Sequence, residues 1–175
     1  MTGFALSLGS NLPDAVGDSP AILADAVARL AAADGVRVTG VSSLYRTAPV
    51  GGVDQPDFVN AVVVGETSLG ARALLDLCQA VEAAHHRTRP VRWGPRTLDI
   101  DVLVFGDETS DDPVLTLPHP RAHERAFVLV PWSEVDADAH VVGRGRVADL
   151  AEEVGGDGVR LAEWPWPAPT GGRRG

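Results

Sequence analysis

The sequence predicts an α+β sandwich, with helices laid on an antiparallel sheet, and the order of its apolar runs leads there. Apolar runs with strand character and runs at helical spacing alternate in the order β-α-β-β-α-β up to Phe105, the order of a ferredoxin-like core. Hydrophobic residues make up 45% of the 175 and charged residues 22%, which suits one soluble globular domain. The net charge of −9 argues against a nucleic-acid binder. All fifteen cations are arginine, so neither a Walker A loop nor a kinase strand lysine is present.

Each element has a local reason. Phe4 to Leu8 reads as a short buried strand that ends at Gly9-Ser10-Asn11, where small residues let the chain reverse. Ser19 is the expected N-cap of a first helix, with Pro20 in its first turn, Ile22, Leu23, Ala26, Val27, Leu30 and Ala31 at helical spacing, and Gly35 closing it. Val36, Val38 and Val41 to Tyr45 suggest a second strand with a bulge at Gly40, and Phe58 to Glu66 a third. Between them, Arg46 to Asp57 is longer than a hairpin needs and is a candidate moving loop. Ser68 to His86 reads as the second helix, burying Ala71, Leu74, Leu75, Cys78 and Val81. His85 and His86, with no spaced partner, read as polar residues at its end.

The fourth strand follows Arg96. Leu98, Ile100, Val102 and Val104 form its apolar face, alternating with Thr97, Asp99, Asp101 and Leu103. Beyond it the sequence suggests an acidic turn at Asp107 to Asp112 and a short strand at Val114 to Leu117. A helical segment from Arg121 to about Val135, broken by Pro131, should follow, then a helix at Arg146 to Val154 and a last strand at Val159 to Trp164. One domain over 1–164 and a flexible tail over 165–175 are the expected organisation. The single Cys78 allows no internal disulfide, and no signal peptide or membrane-length apolar run is seen, so a cytoplasmic location is expected. A monomer is expected as well.

The stretch from Arg87 to Asp101 carries the chemistry. It sets Arg87, Arg89, Arg92 and Arg96 ahead of two aspartates that, two apart on a strand, share a face roughly 7 Å from one another. Two neighbouring carboxylates repel unless a cation sits between them, and Mg²⁺ takes one or two carboxylates and completes its shell with water and phosphate oxygens. Guanidinium forks pair with phosphate and stay charged. The pattern therefore points to a nucleotide phosphate. A Mg²⁺-dependent nucleotide hydrolase and a binding module without turnover remain open on these residues alone.

The run Arg87 to Asp101, read as Arg-x-Arg-x-x-Arg-Trp-Gly-Pro-Arg-Thr-Leu-Asp-Ile-Asp, closely resembles the signature of the 6-hydroxymethyl-7,8-dihydropterin pyrophosphokinase family. Further matches stand in the family's order at Gly9-Ser10-Asn11, Ser42 to Thr47, Asp54 to Ala61, and Pro118-His119 through Phe127. The resemblance covers roughly residues 3 to 135. It implies transfer of diphosphate from ATP to the hydroxymethyl group of a reduced pterin, with AMP released, as part of folate biosynthesis.

By the same resemblance, Asp99 and Asp101 hold two Mg²⁺, while Arg87 and Arg96 are the catalytic arginines. Arg89, His119 and Arg125 match phosphate-binding positions, Gln79 and Glu82 the nucleotide side, and backbone groups near Val102 and Thr116 the adenine contacts. The pterin is expected between Phe58 and Phe127, read by Asn60 and by backbone groups of Thr47, Ala48 and Val50. Trp93 belongs to a closing loop. Three residues depart from the family's habit: Phe58 stands where tyrosine is frequent, Ala48 where proline is, and His86 where glycine is.

Overall fold

β1 (Thr2–Ser10) is the strand on which the sheet is built, buried from Phe4 to Ser10 because both its faces and both its edges are covered. The computed structural model describes residues 1–48, 55–85 and 97–162. Val50, Arg87, Arg89, Trp93, Arg96 and the expected 165–175 tail lie outside the described residues.

After β1 come α1 (Ser19–Ala32), β2 (Val36–Val41), β3 (Tyr45–Thr47), β4 (Phe58–Thr67), α2 (Ala71–Ala84) and β5 (Asp99–Phe105). With β10 (Val159–Leu161) at one edge, the order in the main sheet is β10-β3-β4-β1-β5, with β2 also on β4 and each of these pairs antiparallel. The predicted βαββαβ core is therefore present, and its second strand exists in two pieces. β2 pairs with the Val63–Thr67 end of β4 and β3 with the Phe58–Asn60 end. Between them Ser42 supplies its own link, since its N–H donates to Val62 O and its Oγ accepts from Val62 N–H, both at 2.9 Å.

Two apolar layers result. On one face Leu6, Leu8, Ala61, Val63, Ile100 and Val102 pack against Ile22, Leu23 and Leu30 of α1 and Leu74, Cys78 and Val81 of α2. On the other, Ala5, Val62, Val64 and Leu103 meet Val128, Leu129 and Trp132 of α3 (Ala126–Asp136) and Val147 and Leu150 of α4 (Val147–Val154). Helices thus cover both faces. The second layer is built by the C-terminal helices α3 and α4 with Val141 of the short pair β8 (His140–Val141) and β9 (Gly145–Arg146), whereas the hairpin β6 (Ser110–Asp112) and β7 (Leu115–Leu117) buries Leu117 in the first layer and β10 forms an edge of the main sheet.

Several local expectations shift. β1 continues through Gly9 and Ser10, and Asp18 rather than Ser19 caps α1, accepting from Ala21 N–H at 3.1 Å. The bulge expected at Gly40 is there, as a register shift between Val38 and Gly40. A second bulge opposite Ala5 and Leu6 turns both Leu103 and Val104 toward the α3 layer, so Val104 leaves the face that simple alternation gives it. Half of the acidic turn is strand β6. Pro131 does not break α3, which runs on to Asp136 with the proline ring buried. A proline removes one helical hydrogen bond, and packing of Val128, Leu129 and Trp132 outweighs that loss.

Candidate active site

Cross-strand register gathers the site. Gly9 of β1 stands opposite Asn60 of β4 on one side and opposite Asp99 of β5 on the other. Residues directly opposed in antiparallel strands point to the same face, so Asn60, Gly9 and Asp99 form one row, continued by Tyr45 opposite Asn60. Asp101 opposes Ser7 one row along, on the same face as Asp99. Both carboxylates are half-buried at the C-terminal end of β1. Among the described residues no group of three metal-ligating side chains forms. Two hard carboxylate oxygens, with further ligands drawn from water or phosphate, are a donor set that fits Mg²⁺.

The open edge of β5 is closed by α2. Glu82, buried near the helix end, accepts the Ile100 N–H at 3.0 Å through Oε2, between the two aspartates in sequence. This bond gives the predicted nucleotide-side residue a structural task. Gln79, one turn earlier, is exposed. Cys78 is fully buried beside them, its thiol pushed up to about 12 by burial and then by the negative charge of Glu82 and Asp101.

Opposite charge comes from the segment after β7. The His119 N–H donates to Leu103 O at 2.8 Å, docking the chain on β5, and the His119 Nδ1 accepts from Arg121 N–H at 3.2 Å. Nδ1 as acceptor leaves the ring hydrogen of the neutral imidazole on Nε2. Burial holds His119 below the usual histidine range, Asp101 pulls the other way, and Arg125 and Arg121 add to the lowering. Arg125 is likewise lowered by burial, with Asp101 and Asp99 opposing. Its guanidinium lies 5.6 Å from the Phe127 ring centroid, a cation–π contact at the start of α3. Asp99, Asp101, His119, Arg125 and Phe127 thus converge.

Thr47, Ala48, Phe58 and Asn60, four of the residues expected on the pterin side, lie together at the other end of the row, while Phe127 stands with the aspartates. Asn60 is buried and its Nδ2 donates to Thr47 Oγ1 at 2.8 Å, which sets the direction of its amide. Phe58 opposes Thr47 and, two residues from Asn60, shares its face. Ala48 is exposed beside them. Val102 sends its side chain to the α1–α2 layer while its backbone lies opposite Leu6, and Thr116 sits in the β6–β7 hairpin with Oγ1 donating to Asp112 O at 2.9 Å.

Three further contacts were not legible in the sequence. Asn11, buried, donates through Nδ2 to Gln55 Oε1 at 2.8 Å and to Pro56 O at 2.9 Å, holding the chain ahead of Phe58. Glu134 of α3 accepts from Ser43 N–H at 2.9 Å, Ser43 Oγ at 2.6 Å and the Tyr45 hydroxyl, whose pKa burial and this carboxylate push upward. His85 lies between Asp14 and Asp25. The motifs Gly9-Ser10-Asn11, Ser42 to Thr47 and Asp54 to Ala61 marked some of these residues without saying what they contact.

Comparison with known proteins shows the family. Residues 5–137 match the family model of 7,8-dihydro-6-hydroxymethylpterin-pyrophosphokinase. The chain is similar to the 2-amino-4-hydroxy-6-hydroxymethyldihydropteridine pyrophosphokinase of Methylorubrum extorquens, 44% identical over 93% of this chain and 100% of that one. The enzymes of that name from Bacillus subtilis and Mycobacterium leprae are 48% identical over 74% of this chain and 75% of theirs, and 44% over 92% and 89%. Among solved structures, Plasmodium falciparum HPPK-DHPS superposes with a TM-score of 0.64 at 16% identity, over 87% of this chain and 44% of that one. That likeness speaks for the fold, and this chain spans less than half of that longer protein. With most of its length matched in sequence, the chain belongs to the 7,8-dihydro-6-hydroxymethylpterin-pyrophosphokinase family.

Proposed function

We propose that this chain transfers diphosphate from ATP to the hydroxymethyl group of 6-hydroxymethyl-7,8-dihydropterin, giving AMP and the pterin diphosphate. The observation that supports this best is the row Asn60–Gly9–Asp99, which sets a directed amide and a carboxylate pair side by side with only a glycine between. In the reaction the pterin hydroxyl oxygen bonds to the β-phosphorus, the bond from that phosphorus to the α–β bridging oxygen breaks, and the hydroxyl proton is lost as AMP departs.

Asp99 and Asp101 would hold two Mg²⁺ together with the ATP phosphates. When bound, the ions supply charge neutralisation for the in-line displacement. Arg125 and His119 act on the phosphate side, Arg125 as a permanent cation and His119 as a neutral donor through Nε2. Arg87, Arg89 and Arg96 take their roles from the family resemblance: Arg87 and Arg96 stabilise the transferred group, and Arg89 binds phosphate. Gln79 and Glu82 line the nucleotide side, with adenine against the backbone of Val102 and Thr116. Asn60 offers both donor and acceptor to the pterin edge, helped by backbone groups of Thr47, Ala48 and Val50, and Phe58 and Phe127 stack on its faces. Trp93 closes over the site to keep water from the diphosphate. Action as a monomer in the cytoplasm belongs to the same reading, and a single buried free cysteine suits it.

The test is AMP formation from ATP, Mg²⁺ and the pterin, followed by chromatography, beside Asp101→Ala and a no-pterin control. Pterin-dependent AMP that is lost by a factor on the order of 10² or more in the variant supports the reading. AMP or ADP formed equally without pterin would mean a nucleotide hydrolase. ATP binding with no product would mean a binding module.

A further inference from the structure

His85 stands at the C-terminal end of α2 with none of its surface exposed, and both ring nitrogens face carboxylates from other elements. Nδ1 is 2.6 Å from Asp14 Oδ2, in the loop between β1 and α1, and Nε2 is 2.8 Å from Asp25 Oδ2, on α1. An ionised carboxylate only accepts, so each contact needs a hydrogen on the ring or a proton on the acid. Asp25 Oδ2 also accepts from Arg29 Nε at 2.7 Å and is partly exposed, so the buried partners that depend on each other are His85 and Asp14, and removing the ring leaves Asp14 Oδ2 without this partner. An apolar residue could fill the same space, but it would not dictate which loop conformation meets the helix end.

The clamped loop is tied onward to the site. Asp14 Oδ1 accepts from Val16 N–H at 2.7 Å and the Asp14 N–H donates to Gly17 O at 3.0 Å, so the loop closes around the residue that His85 grips. Ser10 Oγ and Ser19 Oγ, 2.9 Å apart, link the two ends of the connection. Upstream, Asn11 donates to Gln55 and Pro56, just ahead of Phe58. A line of hydrogen bonds and short chain segments therefore runs from the end of α2 to the start of β4. In the other direction along the sequence, Arg87 follows His85 by two residues.

We propose that His85 is a positioning residue for the transfer reaction: held between Asp14 and Asp25, it fixes the β1–α1 loop and, through Asn11, the stretch from Gln55 to Asn60 that receives the pterin. The kinetic part of this inference rests on the function proposed above.

The experiment compares the wild type with His85→Ala, His85→Gln and Leu150→Ala, a core truncation in α4 remote from the cluster. AMP formation is measured with pterin and ATP varied separately, and hydrogen–deuterium exchange is followed over residues 11–18 and 55–60. His85→Ala is expected to raise the KM for pterin by about tenfold, with the KM for ATP within about twofold of wild type. Exchange should quicken in both segments together. His85→Gln, which still donates one hydrogen bond, should recover part of each effect, and Leu150→Ala should lose stability with its pterin KM unchanged. If His85→Ala does not fold, His85→Gln carries the comparison. A wild-type pterin KM in the His85 variants, or protection of 55–60 kept while 11–18 loses its own, overturns the proposal. A wild type that forms no pterin-dependent AMP overturns the proposed function instead, and the exchange data then decide by themselves whether His85 governs 55–60.

Discussion

Asn60 and Asp99 flank Gly9 from opposite sides, one on each neighbouring strand. A Cβ at Gly9 would lie 2.9 Å from Asn60 Oδ1, inside van der Waals contact. The amide cannot turn away freely, because its Nδ2 is bonded to Thr47. Gly9→Ala should therefore cost about 1 kcal/mol through that hydrogen bond and raise the KM for pterin by about tenfold, while the KM for ATP changes little. Thermal unfolding and steady-state kinetics check this. An unchanged pterin KM would separate Asn60 from pterin binding.

Glu82 gives a second prediction. Glu82→Ala leaves the Ile100 N–H without its acceptor and should lower stability by about 1 to 3 kcal/mol in urea unfolding. Glu82→Gln retains an acceptor oxygen and should lose less. Equal losses in the two would show that charge, not this hydrogen bond, is what α2 contributes to β5.

Stability should fall on the acid side. Asp25 is held below the usual 3.8 by its hydrogen bond with Arg29, against burial and with help from His85. Asp14 is lowered too: burial alone would raise it, and the bonds with His85 and Val16 N–H overcome that. Depressed folded-state values mean stability that is present in full above about pH 4 and is lost as pH falls through the folded values. Thermal melts from pH 6 to pH 2 should show this loss, and Asp14→Asn should flatten it. A melt curve of the same slope in Asp14→Asn would assign the acid limb elsewhere.

Cys78 should be silent toward alkylating reagents in the native protein. With the thiol pushed up to about 12, only about one in ten thousand is ionised at pH 8, and the side chain has no exposed surface. Thiol titration in buffer should find none reactive within minutes, and in denaturant one. Fast reaction of the folded protein would mean that α2 opens from the sheet.

Much of the scaffold could be read directly. The spacing of Ile22, Leu23, Ala26 and Leu30 and of Leu74, Leu75, Cys78 and Val81 marks two helices, and both bury those residues. Alternation put Asp99 and Asp101 on one face of a strand, and the structure agrees. It failed at Val104 because a bulge depends on the partner strand, and at Pro131 because packing outweighed a local preference. His85 does stand at the helix end as a polar residue, but its burial and its partners were beyond local reading. Its partners, Asp14 and Asp25, are 71 and 60 residues away in sequence.

By itself the sequence determined the helices and strands of the βαββαβ core, their order and the shared face of the two aspartates, since backbone preference and hydrophobic period act within a few residues. Tertiary structure alone decided that Gly9 separates Asn60 from Asp99, that Glu82 closes the edge of β5 and that His85 joins α2 to the β1–α1 loop. These are matters of register and of pairing between distant side chains. They are set by which whole packing arrangement buries the most apolar surface while leaving the fewest polar groups unpaired, a quantity that no local stretch of chain contains.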